Sequence, residues 1–428
     1  MDISLPLDLL AYLDELDRFI EAEIKPLEEA DDNIRFFDHR REWARTDFEN
    51  GGLPRDDWEA LLREARRRAD VAGHLRFTMP SQYGGKDGSQ LWMAVIRERF
   101  AAKGLGLHND LQNEHSIVGN FPYVQMLMQH GTQAQRDAMI PGMPDGSNRI
   151  CFGLTEPDHG SDATFMETTA RRERRDGIDG WVIEGTKMWT TGVHVGSHCA
   201  TFARTSGQPG DAKGITCFLV PISTPGLEIG EYLWTFNMPT DHPYVHFTDC
   251  WVPDETILGQ ADHGLMVAQC FVNQNRLRQA AASLGAAQFC IDESVKWARS
   301  RKPFGKALAA NQAIQFPLVE LQTQAEMLRL LIYKTGAEMD TMSLDEVERT
   351  MSDRVSMCNY WGNRLCTEAA DRAMQVHGAI GYSRHKPFEH IYRHHRRYRI
   401  TEGSEEIQMR KIGAFMLGYR GPRKGIFD

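Results

Sequence analysis

The sequence predicts a multi-domain α+β protein with an N-terminal α-helical domain, a central β-barrel-like domain and a C-terminal four-helix bundle. Three observations support this. Apolar residues recur at helical spacing in the first part of the chain. Short β-branched and aromatic runs separated by Gly, Asp and Pro turns follow. Long apolar-periodic segments with short connections fill the rest. We therefore expect domains at 1–148, 149–258 and 259–428.

The composition is that of an ordinary globular protein. A length of 428 residues is enough for two or three domains, and the net charge of -10 disfavours nucleic acid or an anionic membrane as partner. No apolar run reaches the roughly 18 residues of a membrane span, and the N-terminus lacks a secretory signal. The eight scattered cysteines include no Cys-x-x-Cys, which predicts reduced thiols, a cytoplasmic location and no zinc site.

The N-terminal region begins with a helix from about Leu9 to Ile20 that we expect Pro26 to end. Residues 30–56 have no clear period and are expected to be irregular. A helix resumes at Asp56, and two more are expected within 89–130.

In the central region, strands are expected at 150–154, 181–183, 188–191, 215–220, 227–229 and 244–247. Gly180 and Gly185 are followed by Thr186 and Lys187, which is the wrong order for a phosphate-binding loop. We expect a hairpin there.

In the C-terminal region, one helix is expected over 265–299 and another around 321–332. A third is expected over 347–376, ending at Gly378 as a C-terminal glycine should.

Three polar stretches could carry chemistry. The stretch 154–162 is a turn of small residues that could approach a ligand, or a plain turn. The stretch 185–192 contains Trp189, which could stack on a flat ring or belong to the core. The stretch 300–306, with Gln312 beyond it, has cations that could hold a pyrophosphate, or it is a solvated loop.

A fourth stretch, from His385 to Arg399, is rich in histidine and arginine. His390 and His394 are four residues apart, but no ordered set of further ligands accompanies them, which disfavours a metal site. A nucleic-acid stripe conflicts with the net charge. A surface that receives an anionic ligand or partner fits better.

Near the C-terminus, Glu402 stands on a short turn before a hydroxyl, two carboxylates and an apolar-periodic run. The simpler interpretation is a helix start, with Ser404 as its cap and Glu405 and Glu406 at the positive end of the dipole. The alternative is that Glu402 is a catalytic base.

Together these stretches resemble the acyl-CoA dehydrogenase family over about residues 75–415. The matching segments occur in family order and at family-like spacing. They are Thr155-Glu156-Pro157-x-x-Gly160-Ser161-Asp162, Gly185-x-Lys187-x-Trp189-x-Thr191, Pro225-Gly226-Leu227, Val252-Pro253-x-x-x-Ile257-Leu258-Gly259, Arg301-x-x-Phe304-Gly305-x-x-Leu308-x-x-x-Gln312, Gln375-Val376-x-Gly378-x-x-Gly381-Tyr382, Tyr392-Arg393 and Glu402-Gly403-Ser404-x-Glu406-Ile407-Gln408.

The resemblance implies FAD as cofactor and a homodimer or homotetramer. The residues it assigns to the isoalloxazine are Leu154, Thr155, Trp189 and Thr191. Those it assigns to the flavin pyrophosphate and the thioester are Gly160 and Ser161. Those it assigns to the adenosine diphosphate half of a neighbouring subunit's FAD are Arg301, Phe304, Gln312, Gln375 and Gly378. Ser404 and Glu406 are expected to close over the flavin beside the base.

The resemblance also implies a mechanism. Glu402 matches the family's catalytic glutamate, which takes the α-proton of an acyl-CoA while flavin N5 takes the β-hydride, giving the 2-enoyl-CoA. Desolvation of the carboxylate and polarisation of the thioester carbonyl assist. Some relatives carry the base just before a bundle arginine; here that position is Asn275, before Arg276. Arg276 and Gly403, with Ser161, are expected to bind substrate.

Departures from the family pattern bear on the substrate and on the electron-acceptor surface. Asp158 and His159 replace small residues, His394 replaces an Asp, and Ser404 replaces a Thr. The stretch 108–115 is polar where many relatives have an apolar acyl pocket. It suggests a short, polar or bulky acyl group, or it is a solvated helix face.

The expected function is therefore acyl-CoA dehydrogenation in fatty acid or carboxylic acid catabolism, with electrons passed to an electron-transfer flavoprotein. Three alternatives stay open: an acyl-CoA oxidase-type flavoenzyme on the same fold, a non-catalytic flavoprotein or scaffold, and a metal-dependent hydrolase that uses the histidines.

Overall fold

The computed structural model describes residues 4–109 and 116–419. The chain forms two compact units. The first comprises Met1–Ala44, Ala60–Asn120 and Asn273–Asp428, and the second comprises Arg45–Glu59 and Phe121–Val272. The boundaries at 148/149 and 258/259 stay a prediction.

The helices of the described residues are α1 Leu7–Phe19, α2 Lys25–Glu29, α3 Asp56–Val71, α4 Gln90–Ala102, α5 Pro122–His130, α6 Gln133–Met139, α7 Gly264–Ser300, α8 Gln312–Met339, α9 Leu344–Thr350, α10 Ser352–His377, α11 Ala379–Tyr382, α12 Phe388–Arg397 and α13 Glu405–Met416. The strands are β1 Thr46–Asp47, β2 Leu53–Pro54, β3 Ile150–Gly153, β4 Thr169–Arg175, β5 Ile178–Lys187, β6 His198–Arg204, β7 Ile215–Pro221, β8 Leu227–Tyr232, β9 Pro243–Pro253 and β10 Ile257–Leu258. No helix among these is long and apolar enough to span a bilayer.

The first helical run continues past the proline expected to end it. After α1, a π-helical turn at Ile20–Ile24 leads directly into α2, and Pro26 lies in the first turn of that helix. A proline is tolerated there because the first N–H groups of a helix have no intrahelical acceptor. The prediction that Pro26 ends the run is therefore wrong. Short 3₁₀ turns at Ala30–Phe37 and His39–Ala44 follow, in agreement with the expected irregular segment.

The core of the first unit lies among the long C-terminal helices. Leu284 of α7, Leu328 of α8 and Leu365 of α10 belong to one buried apolar cluster. The expected helix over 347–376 is interrupted, since α9 ends at Thr350 and Met351 has a non-helical φ of -131°. Gly378 then ends α10 with a φ of +70°, as its residue type predicts.

Within the described residues, the second unit contains a two-stranded antiparallel sheet of β1 and β2 and a larger sheet of eight strands. The larger sheet has the order β10-β7-β6-β4-β5-β9-β8, with β3 pairing parallel to β6. The tight turn of its first hairpin lies between β4 and β5, at Asp176 and Gly177. The hairpin expected at Gly180–Gly185 is therefore wrong. Both glycines lie inside β5, and Gly185, with a φ of +141°, marks a register shift against β9.

Five strands were not predicted, namely the two-residue strands β1, β2 and β10 and the longer strands β4 and β6, and one predicted strand does not form. β4 carries four arginines on a largely exposed strand, which hides its alternation, and β6 is almost continuously buried. The strand expected at 188–191 does not form, because β5 ends at Lys187 and Trp189 adopts a left-handed φ of 62°. A left-handed residue cannot continue a strand, so Trp189 lies in the turn beyond it.

Candidate active site

The turn between α12 and α13 presents Glu402. Glu402 and Gly403 have left-handed backbones, with φ values of 58° and 85°. The Glu402 side chain is half-buried. Ser404 Oγ accepts a hydrogen bond from the Ile407 N–H at 3.4 Å and caps α13, which confirms the expected helix start.

Side chains of the helical bundle donate to three carbonyls of this turn. Arg276 donates to the Glu402 carbonyl from Nη2 at 2.6 Å and from Nε at 3.0 Å. Gln408 Nε2 donates to the Gly403 carbonyl at 2.8 Å. Asn363 Nδ2 donates to the Tyr398 carbonyl at 3.0 Å. Because these donors are themselves buried or part-buried, the turn has little freedom to move.

Asn359 joins the donors into one network. Its Nδ2 donates to the Arg276 carbonyl at 2.9 Å, and its Oδ1 accepts from Gln408 at 2.9 Å and from Asn363 at 3.2 Å. Asn359 and Asn363 are both fully buried, so their amides rely on these partners. These hydrogen bonds between buried side chains favour one geometry of the turn.

Two ion pairs stabilise the first turn of α13. The Glu405 carboxylate accepts from Arg364 Nε at 2.9 Å and from Arg399 Nη2 at 2.9 Å. The hydrogen bonds from Arg399 and Arg364 lower the pKa of Glu405 to about 2. Glu405 therefore stays ionised at neutral pH and ties the turn to α10.

Arg276 places a positive charge at the backbone carbonyl of Glu402. Burial lowers the pKa of Arg276 to about 10, while the charges of Glu402 and Glu348 act in the opposite direction. Arg276 is thus cationic at neutral pH. Its guanidinium contacts the Glu402 carbonyl and Ser356 Oγ, so the expected role in substrate binding stays a prediction.

In the second unit, a buried ion pair joins two of the predicted cofactor segments. Lys187 Nζ donates to Glu156 Oε1 at 2.7 Å and to the Leu154 carbonyl at 3.2 Å. Burial acts to raise the pKa of Glu156, but Lys187 and hydrogen bonds from residues 167 and 168 outweigh it and hold that pKa below its usual range. The Met188 N–H also donates to the Thr155 carbonyl at 2.9 Å. The chain after β3 is thereby bound to the end of β5.

The aromatic and hydroxyl groups expected at a flavin lie just beyond this ion pair in the sequence. Trp189 is 43% exposed and has its ring edge-on to His242, with centroids 6.3 Å apart. Thr191 Oγ1 forms a hydrogen bond with His242 Nδ1 at 3.0 Å. Gly160 and Ser161 lie exposed in the loop after β3. An exposed indole and a nearby hydroxyl suit a planar polar ring.

The residues expected to contact a neighbouring subunit's cofactor are all on the surface of the first unit. Phe304 is completely exposed at 106% and adopts a left-handed φ of 52°. Space around Gly378 is open, since an added Cβ would meet nothing within 4 Å. The members of this exposed set are Arg301, Phe304, Gln312, Gln375 and Gly378, and Glu406 is likewise exposed.

Three histidines of the stretch 385–399 lie in the interior and not on the expected anion-receiving surface. His390, His394 and His395 are buried, so that interpretation is wrong for them. The ring of His395 forms a hydrogen bond with Ser283 Oγ at 2.8 Å, and His394 Nε2 lies 3.1 Å from the Tyr398 hydroxyl. In the described part of the chain, no group of three or more His, Cys, Asp and Glu residues is arranged to hold a metal.

The polar stretch that suggested a modified acyl pocket is only partly described. His108 and Asn109 are buried, whereas residues 110–115 lie outside the described residues. The ring of His108 contacts the Phe100 carbonyl at 3.1 Å, and Asn109 accepts from Arg97 at 3.2 Å. The substrate hypothesis stays a prediction.

Five residues that organise these sites had no role predicted from the sequence: Glu156, Lys187, Asn359, Asn363 and Gln408. The sequence contained a signal for four of them. Glu156 and Lys187 are opposite charges inside two motifs, and Asn359 and Asn363 are polar residues four apart on the apolar face of a helix.

Family profiles cover nearly the whole chain. The acyl-CoA dehydrogenase N-terminal, middle and C-terminal domains match residues 8–147, 151–250 and 262–417. The human mitochondrial short-chain specific acyl-CoA dehydrogenase is 31% identical over 346 residues, or 81% of this chain and 80% of the relative. The chain belongs to the acyl-CoA dehydrogenase family. It is therefore an FAD-dependent oxidoreductase acting on acyl-CoA, and the predicted fold class is confirmed.

Two further comparisons extend the family match. The CarC subunit of the caffeyl-CoA reductase-Etf complex of Acetobacterium woodii is 29% identical over 348 residues, covering 81% of this chain and 87% of the subunit. A solved structure of glutaryl-coenzyme A dehydrogenase with glutaryl-CoA has a TM-score of 0.78 at 25% identity, covering 99% of this chain and all of the other. The whole architecture is thus that of the family.

The residues present fit FAD. The second unit offers the exposed Trp189 ring and the Thr191 hydroxyl, and the first offers Arg301 and the open space at Gly378. An aromatic plane, hydroxyl donors and an unburied guanidinium are the groups that a flavin ring and a pyrophosphate need.

Proposed function

We propose that this family member dehydrogenates an acyl-CoA thioester between its α- and β-carbons, with Glu402 as the base. The observation that carries the proposal is the turn of Glu402, whose own carbonyl is clamped by Arg276 while its carboxylate side chain stays half-buried. A base must be held at a constant position relative to the carbon it deprotonates, because a misplacement of about 1 Å lowers the rate strongly.

Glu402 takes the α-proton onto a carboxylate oxygen. A carboxylate is a weak base for a carbon acid, so the step depends on partial desolvation of Glu402 and on hydrogen bonds to the thioester carbonyl. When bound, FAD would supply the acceptor for the hydride equivalent that leaves the β-carbon. Ser161, Gly403 and Arg276 are proposed to contact the substrate.

We assign the cofactor contacts as the family resemblance implies. Leu154, Thr155, Trp189 and Thr191 contact the isoalloxazine, and Gly160, Ser161, Ser404 and Glu406 complete its surroundings. The five exposed residues of the first unit, from Arg301 to Gly378, hold the adenosine diphosphate half of a second copy's FAD. This assignment makes the protein a homodimer or homotetramer. Light scattering of the flavin-loaded protein tests it, and a monomer that retains FAD contradicts it.

An electron-transfer flavoprotein is the proposed electron acceptor. The support is the similarity to the CarC subunit, which is named as part of a complex with Etf. Rapid peroxide formation by the substrate-reduced protein in air favours an acyl-CoA oxidase instead. The cytoplasmic location expected from the free thiols stays a prediction.

The acyl group is proposed to be short, polar or bulky. The similarity to a short-chain specific enzyme and to a caffeyl-CoA reductase subunit supports this, because those names denote a short and an aromatic acyl group. A panel of acyl-CoA esters from C4 to C16, with arylpropionyl-CoA included, tests the assignment. A clear preference for saturated C12–C16 esters contradicts it.

The central experiment is anaerobic flavin bleaching. Wild-type protein loaded with FAD should bleach with one or more esters of the panel. Glu402→Gln should retain FAD and bind the same ester but bleach at least about a thousandfold more slowly, because the base is gone. Glu320→Gln, an exposed change on α8, is the matched control and should behave as wild type. Unchanged bleaching by Glu402→Gln means that the base is another residue.

A further inference from the structure

Asn275 lies between two charged side chains. It is on α7, immediately before Arg276, and is only 3% exposed. Its Oδ1 accepts a hydrogen bond from Arg278 Nη2 at 3.3 Å, and its Nδ2 donates to Glu402 Oε1 at 3.4 Å. The amide therefore links a buried guanidinium to the carboxylate assigned as the base.

The charges on either side determine which way this amide points. A guanidinium can only donate hydrogen bonds, and an ionised carboxylate can only accept them. The amide oxygen must therefore face Arg278, and the amide nitrogen must face Glu402. The opposite orientation would aim two donors at each other on one side and two acceptors on the other, which is costly in a buried site.

We propose that Asn275, oriented by Arg278, is a positioning residue that holds the Glu402 carboxylate in its ionised form and in one rotamer. This rests on the proposed function of Glu402 and goes beyond it. Arg276 secures the backbone of the base through the carbonyl, whereas Asn275 acts on the carboxylate itself. The two neighbours on α7 thus have separate tasks.

Two charged residues on neighbouring elements have ion-pair or hydrogen-bond partners of their own. Glu348, on α9, accepts from Asn273 at 2.7 Å and from Lys411 on α13 at 3.1 Å. Arg399, on the turn, pairs with Glu405 at the start of α13. The charges of Arg276 and Glu402 interact directly, and Asn275 Nδ2 donates a hydrogen bond to the Glu402 carboxylate.

A carboxylate in place of this amide would reverse the effect. Aspartate at position 275 has the same shape, but it places a second negative charge beside Glu402 and removes the donor. Like charges in one site raise the pH at which one of them takes up a proton. Leucine is close in size, and it removes the donor without adding a charge.

The test compares Asn275→Leu and Asn275→Asp with Asn273→Leu. Asn273 is the matched control because it is a buried asparagine on the same helix, and its Nδ2 donates a hydrogen bond to Glu348 and not to Glu402. Two readouts are taken on the FAD-loaded protein. One is the pH profile of kcat with the best ester. The other needs no substrate: infrared pH titration of the Glu402 carboxylate, identified by its absence in Glu402→Gln.

Asn275→Leu should move both the acid limb and the infrared midpoint upward by about one pH unit, the effect of losing one hydrogen bond to the charged form. Asn275→Asp should move them further. We expect kcat to fall about tenfold with KM changed less than about threefold, and Asn273→Leu to match wild type in both midpoints.

The readout is taken from each Asn275 variant that folds and keeps FAD. The proposal is overturned if the midpoints of that variant stay within about 0.2 pH unit of wild type. An equal shift in Asn273→Leu also overturns it, because the effect is then general to the helix. If no ester bleaches the wild-type flavin, the proposed function fails, while the infrared titration still decides the role of Asn275.

Discussion

The buried guanidinium of Arg276 donates two hydrogen bonds to the backbone carbonyl of Glu402, from Nη2 at 2.6 Å and from Nε at 3.0 Å. The two residues are 126 positions apart in the chain. The position of the proposed base is thus set by the packing of α7 against the turn before α13, and not by the turn sequence alone.

Replacing Arg276 with lysine should lower kcat about ten- to a hundredfold, with FAD retained and KM within about threefold of wild type. Lysine cannot reproduce the fixed fork of donors that reaches both sides of one carbonyl. Steady-state kinetics across the ester panel measure the effect. Arg349→Lys, an exposed change on α9, is the control. A higher KM with unchanged kcat would mean that Arg276 acts through substrate contact alone and that its hydrogen bonds to the Glu402 carbonyl do not matter for the reaction.

Replacing Gly403 with alanine should cost about 1–2 kcal/mol of unfolding free energy and lower kcat. Gly403 has a φ of +85°, which disfavours a side chain, and an added Cβ would lie 2.9 Å from Arg276 Nη2. The Arg276 guanidinium, which donates to the Glu402 carbonyl, must then move. Denaturant unfolding and kcat are the measurements. In the control Gly413→Ala, on α13 with open space around it, stability should rise by about 0.5–1 kcal/mol. If Gly403→Ala and Gly413→Ala show the same change in unfolding free energy and in kcat, position 403 has no special need for glycine.

Replacing Lys187 with methionine should destabilise the second unit by about 3–5 kcal/mol, because it leaves Glu156 buried without its cation. Adding Glu156→Gln should recover part of that loss. Since the pKa of Glu156 is held below its usual range, its contribution is present above the unfolded pKa of about 4.3 and is lost as the pH falls through the folded value. Urea unfolding at pH 7 and below pH 4 tests both statements. If Lys187→Met alone is as stable as Lys187→Met combined with Glu156→Gln, the buried carboxylate is not the cause of the loss.

Replacing His395 with glutamine should flatten the acid dependence of stability. Burial lowers the pKa of His395 to about 3, whereas the unfolded value is about 6.5. Between these values the unfolded chain takes up a proton that the folded chain does not, so stability falls on acidification. The slope from this residue is about 1.4 kcal/mol per pH unit once the pH is well below 6.5.

Unfolding free energies at pH 7 and pH 5 check this prediction. The difference between the two should be smaller in His395→Gln than in wild type, and the exposed His385→Gln should match wild type. Glutamine keeps a polar atom for Ser283, the hydrogen-bond partner of the ring. An unchanged pH dependence in His395→Gln means that other groups dominate the acid response.

The sequence by itself determined the features that depend on near neighbours. α7 spans Gly264–Ser300 where 265–299 was expected, Gly378 ends α10, and Ser404 caps α13. Helical periodicity and caps involve residues three or four positions apart, so one stretch of chain contains the whole signal. The family motifs likewise identified Glu402 as the candidate base.

Only the tertiary structure decided which distant side chains support those features. Lys187 neutralises Glu156 across 31 residues, and Asn275 and Arg276 reach Glu402 across 127 and 126. The burial of His394 and His395, and the turn that takes Trp189 out of its strand, were also unpredictable from local pattern. A buried polar group must find its partner wherever packing brings one, and packing follows the whole fold and not the spacing along the chain.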